Sequence, residues 1–159
     1  MGEERLRLSS RLALIVVLGV LAACAAPRIV VLNDPLTARE HVDLGLSYEV
    51  QGMTDLAEKE YRKAAARDPD WAVPYFNLGN VAYGNKDLPA AQRHFSEALD
   101  RDPKNPDIMN NLAIVLHEAG RDDEARALIE NALAIRHSDE YLDTLRRINE
   151  SPEKEESGP

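Results

Sequence analysis

The sequence predicts an all-α fold: a superhelix of three stacked helix-turn-helix units closed by a C-terminal helix. Three observations carry that expectation. Laid against itself at an offset of 34 residues, the chain aligns apolar residues of like size: Leu44, Leu78 and Leu112; Gly45, Gly79 and Ala113; Ala57, Ala91 and Ala125; Tyr61, Phe95 and Ile129; Ala64, Ala98 and Ala132. A fixed period of this length marks units that stack on their neighbours because none can bury its apolar face alone. The sizes also make sense within a unit. A glycine or alanine on the first helix and an alanine on the second allow close approach, and the large residue four positions on fills the space beside them. Finally, aromatic residues make up only 5% of the chain, and alanine is plentiful, which suits close-packed helices better than a β-sandwich.

Taken in order, helices are expected at about 35–51, 54–67, 71–84, 88–101, 105–119, 122–135 and 139–149, with no strands. The first should be capped by Asn33 or Asp34 with Pro35 at its opening position, and the third by Asp70 with Pro74 in its first turn. Gly52 and Gly120 punctuate the turns inside units one and three, while Lys86 occupies that position in unit two. Pro69 and Pro103 mark the junctions between units. His137 stands where a third proline would fall, so the third junction should be less rigid. In the last helix Tyr141, Leu142, Leu145 and Ile148 recur at helical spacing with charges between them, the pattern of a solvating cap.

These registers resemble the tetratricopeptide repeat, with units at about 38–71, 72–105 and 106–139 and a cap at 139–149, in a domain covering 35–149. Ala82 departs from the aromatic seen at Tyr48, with Tyr83 one position along to compensate. The resemblance implies that a peptide segment binds the concave surface lined by the first helix of each unit. By register that surface carries Arg39, Val42, Leu46 and Glu49; Val73, Phe76, Asn77, Asn80 and Tyr83; and Asp107, Asn110, Asn111, Ile114 and His117. Phe76 and Tyr83 offer burial to a partner side chain, and Asn80 and Asn110 can both donate to and accept from an extended backbone. Domains of this family that grip acidic chaperone tails use a clamp of lysines, asparagines and an arginine. The matching positions here are Val42, Leu46, Asn77, Asp107 and Asn111, so Asn77 alone agrees, and an acidic peptide end should be repelled.

The N-terminus has the layout of an export signal: Arg5, Arg7 and Arg11, an apolar run from Leu12, then Leu21-Ala22-Ala23-Cys24, which holds the single cysteine. Leu12 to Ala26 would span roughly 22 Å as a helix, short of the roughly 30 Å of a hydrocarbon core. The four residues resemble the lipobox of bacterial lipoproteins. The resemblance implies a signal peptide at 1–23, a diacylglycerol on Cys24 with further acylation of the new amino group, and, since Ala25 and not Asp follows, the periplasmic face of the outer membrane. No other cofactor and no metal is expected. Residues 24–34 form a short tether containing the apolar Ile29-Val30-Val31-Leu32, which docks on its own domain or against a partner. Residues 150–159 read as a disordered acidic tail.

Without residues 1–23 the chain holds 16 basic and 26 acidic side chains, a formal charge of about −10. A surface that acidic disfavours nucleic acid and leaves the lipid as the membrane contact. His41, His94, His117 and His137 lie on separate helices with no second ligand at metal-site spacing, and neither a nucleophile elbow nor a phosphate loop is present. Carboxylates sit on exposed helical faces, often near a cation, as Glu58 and Arg62 do. The expected function is therefore a non-enzymatic, membrane-tethered adaptor with a protein or peptide partner. Its likeness is to small repeat lipoproteins of the pilotin kind, which assist pilus secretin assembly, and to adaptors of peptidoglycan hydrolases and envelope peptidases. The alternatives are a hydrolase, or its regulatory subunit, acting on envelope polymers, and a structural role through self-association.

Overall fold

The computed structural model describes residues 34–150. Seven helices and no strand occur among them: α1 Ala38–Val50, α2 Thr54–Arg67, α3 Ala72–Gly84, α4 Leu88–Arg101, α5 Pro106–Glu118, α6 Asp122–Ile135 and α7 Asp139–Glu150. None is long and apolar enough to cross a membrane. Cys24, the apolar tether, Asn33 and the acidic tail lie outside the described residues.

Pairing is local. α1 packs on α2, α3 on α4 and α5 on α6, and each hairpin leans on the next through α2 with α3, α4 with α5 and α6 with α7. The 34-residue registers are the core. Ala57, Ala64, Ala91, Ala98, Ala125 and Ala132 are wholly buried, as are Tyr61 and Ile129, with Phe95 nearly so. A Cβ added at Gly79 would stand 2.5 Å from the Phe95 ring, and one at Gly45 would stand 2.8 Å from Cδ1 of Tyr61. Those distances lie far inside van der Waals contact, so the glycines are there to admit the rings.

Two helix starts differ from the expectation. α1 is capped by Thr37, not Asn33 or Asp34: its hydroxyl accepts from the Glu40 amide at 3.2 Å, and its own amide donates to Glu40 Oε2 at 2.7 Å. This reciprocal box satisfies two otherwise orphaned donors, which a proline at position 35 does not. α3 begins after Trp71, and Asp70 makes no capping bond. Elsewhere Asp87 caps α4 through the Ala90 amide, and Asn105 caps α5 through the amides of Asp107 and Ile108.

The inner turns share one left-handed residue each, at φ 73° for Gly52, 63° for Lys86 and 76° for Gly120. Lys86 therefore adopts the glycine conformation and bears its cost. The junctions are less uniform. Four residues separate α2 from α3 and α4 from α5, but three separate α6 from α7. The first two junctions close with Trp71 N donating to Asp68 O and Asn105 N donating to Asp102 O. At His137, where no proline stands, Arg136 turns to an extended ψ of 120° and the chain enters α7 directly. The cap is thereby advanced by one residue. Buried Tyr141 and Ile148 follow buried Ile108 and Val115 by 33 positions, whereas those follow buried Pro74 and Val81 by 34.

Candidate functional site

The first helices of the repeats bring part of the expected surface together. Val42 and Leu46 of α1, Val73, Phe76 and Asn77 of α3, and Asp107 of α5 line one cleft of about 350 Å³. Its walls are apolar because positions four apart on α1 and three apart on α3 face the same way. Leu46 is 45% exposed and Val73 38%, unusually open for such side chains. Phe76 leans on the core, its ring 5.7 Å from that of Phe95 at 52°.

Asn77 lines this cleft at 8% exposure; its amide makes no hydrogen bond to another described residue and opens to solvent.

Four further lining residues, Ala72, Asp102, Asn105 and Ile108, escaped the sequence reading. Asp102 and Asn105 belong to the junction before α5, where a register drawn only along first helices has no reason to look. Their signal lay in the capping chemistry just ahead of Pro106. No Lys, Arg or His lines the cleft.

The remaining expected residues are engaged elsewhere. Arg39 turns from the cleft toward Trp71, its guanidinium 5.8 Å from the ring. Glu49 accepts from the Tyr61 hydroxyl, and burial, reinforced by that bond, pushes the Tyr61 phenol well above its ordinary range. Asn111 donates to Asn80 Oδ1 at 3.0 Å, so these two amides tie α5 to α3. Tyr83 donates to Glu118, which raises its phenol too. His117 Nδ1 lies 2.6 Å from Asp122, and Ile114 is half-buried.

Asn110 requires a correction. At 1% exposure it cannot offer its amide to a peptide backbone; its nitrogen instead donates to Asn111 and reaches Glu140 of α7 at 3.4 Å. The cap helix packs against α5 as well as α6, and it covers this position.

Around the site the electrostatics are local. Asp107 receives both Arg136 and the Tyr141 hydroxyl, the latter at 2.6 Å. Burial and that bond push the Tyr141 phenol up to about 12. Arg101 donates to the Pro69 carbonyl at 2.5 Å and stacks on Tyr75 at 3.7 Å, fastening unit two to the junction before it. In unit one, buried His41 lies 2.7 Å from Glu60. Burial pushes the Glu60 carboxyl up, but Lys63 and His41 together hold it below its ordinary value.

Comparison with known proteins agrees with this geometry. The tetratricopeptide-repeat family model matches residues 82–148. The chain is 34% identical over 98 residues to the photosystem I assembly protein Ycf3 of Synechococcus elongatus, covering 55% of this chain and 57% of that protein. It is 32% identical over 85 residues to the type IV pilus assembly protein PilF of Pseudomonas aeruginosa, covering 54% and 34%. The chain thus spans a little more than half of the first relative and about a third of the second. Among solved structures, the first such domain of Spaghetti (RPAP3), bound to the HSP90 peptide SRMEEVD, superposes with a TM-score of 0.69 at 21% identity, covering 75% of this chain and 95% of that one. The fold is the tetratricopeptide-repeat superhelix.

Proposed function

We propose that this chain is a non-enzymatic scaffold that holds partner peptides in the cleft between α1, α3 and α5, anchored to the bacterial cell envelope by lipid on Cys24. The observation that carries the binding half is the cleft itself: open apolar walls around an amide that no other described residue meets. Such a surface suits a side chain with its adjoining backbone. The similar Spaghetti domain is described with a peptide bound, and two relatives are described as assembly proteins, which supports assistance to a multiprotein complex such as a pilus, secretion or export assembly.

The anchoring half rests on Leu21-Ala22-Ala23-Cys24 and the basic, apolar stretch before it. Two or three acyl chains, at about 0.8 kcal/mol per buried methylene, hold a protein far more firmly than one. Ala25 favours the outer membrane, with the domain on its periplasmic face.

A photoreactive residue at position 76, compared with one at exposed Glu130, tests the groove in intact cells. Adducts should form from position 76; equal yields from both positions would refute the groove. Cys24→Ser should leave an unprocessed or soluble form, and lipid-like fractionation of that variant would refute the anchor.

A further inference from the structure

The cleft's chemistry specifies its occupant more closely than the fold does. Asn77 lines the apolar hollow and offers a donor and an acceptor that no other described residue meets. A helical ligand has already bonded its own backbone and would leave that amide unmet, whereas an extended segment brings free N–H and C=O groups. The walls formed by Val42, Leu46, Val73 and Phe76 take one large side chain, since the hollow, at about 350 Å³, lies near the lower end of ligand pockets.

Charge decides the rest. Asp102 borders the hollow, and its carboxylate accepts from the neutral side-chain amide of Asn105 at 2.9 Å, with no cation on it among the described residues. Asp107, on the same rim, is already met by Arg136. With no cation lining the cleft and a formal charge of −9 on the chain, the potential beside the apolar walls is negative, and the low-dielectric surroundings sharpen it.

We propose that the occupant is an extended peptide of a partner protein in which a bulky aliphatic residue adjoins a lysine or arginine. The aliphatic side chain enters the hollow, Asn77 bonds the backbone beside it, and the cation meets Asp102. This rests on the groove reading above and adds to it the class of ligand. The peptide is opposite in charge to the acidic ligand of the Spaghetti domain.

The test is selection of random heptapeptides on the full chain in detergent, followed by binding of the enriched sequences to variants. Enrichment of Lys or Arg beside Leu, Ile or Met is expected. Binding should be lost in Leu46→Ser and weakened about tenfold in Asp102→Asn, the size of one charge-assisted contact. Both substituted residues are partly open to solvent, and circular dichroism checks that each variant keeps its helices. Enriched peptides that are acidic or uncharged, yet still depend on Leu46, would overturn the inference and leave the groove standing. Binding indifferent to Leu46→Ser, or no enrichment, would overturn both. Arg28-Ile29-Val30-Val31-Leu32 has similar chemistry; tighter peptide binding after Ile29, Val30 and Val31 are changed to Ser would identify this chain's own segment as the occupant, against a foreign one.

Discussion

Units one and two solve the problem of close helix approach differently from unit three. In the first two a glycine faces an aromatic ring, Gly45 with Tyr61 and Gly79 with Phe95, and no Cβ fits between them. In the third the same registers hold Ala113 and Ile129, both wholly buried. A methyl has been added on one helix and a ring reduced to a branched aliphatic chain on the other. The difference teaches that a repeat conserves the sum of two facing volumes and not either residue, because a packed interior tolerates exchange of volume far better than gain or loss of it.

The largest effect is expected where that sum is exceeded. Gly79→Leu should cost about 3 kcal/mol, the upper part of the usual overpacking range, and a urea midpoint equal to the parent's would break the comparison. Next comes the third unit's own fastening. Tyr141→Phe should cost about 1 kcal/mol near neutrality by removing the bond to Asp107. Its pH dependence has a definite sign. The folded phenol titrates near 12 and the unfolded one near 10, so the stability held by the neutral phenol is complete below pH 10 and is lost as pH climbs toward 12. The parent should therefore lose about 1–2 kcal/mol more than Tyr141→Phe across that window; parallel alkaline denaturation curves would contradict this.

A finer experiment builds unit three's pair into unit two. Gly79→Ala combined with Phe95→Ile should be less destabilised than the two single changes added together, by about 1 kcal/mol of coupling. Strict additivity would mean that the two positions do not share volume. The smallest effect lies in the turns. Lys86→Gly should stabilise by about 0.5 kcal/mol through relief of its left-handed backbone, and Gly52→Ala, which meets no neighbour but has φ 73°, should destabilise by about 1 kcal/mol. Thermal melts that rank the two the other way would sink the turn account.

Much of this was legible beforehand, for reasons particular residues make plain. Ala57, Ala91 and Ala125 repeat because each supports the same helix crossing, so periodicity in the sequence maps directly onto burial. Cap residues were harder: Thr37 with Glu40 and Asp34 with Pro35 are competing start signals three residues apart, and the reciprocal hydrogen bonds decided between them. The cleft was half legible. Val42, Leu46, Val73, Phe76, Asn77 and Asp107 follow from helical register, but Asp102 and Asn105 enter from a junction. Asn110 was lost to the groove because α7 packs on α5 and sets Glu140 beside that amide, a contact that a register drawn along first helices does not show.

The one-residue advance of α7 has a practical bearing on length. The residue is missing from the junction and not from a helix, so α7 keeps its buried face, and a further unit grafted after Glu150 would take its rhythm from Tyr141 and Ile148 instead of from a count of 34 through His137.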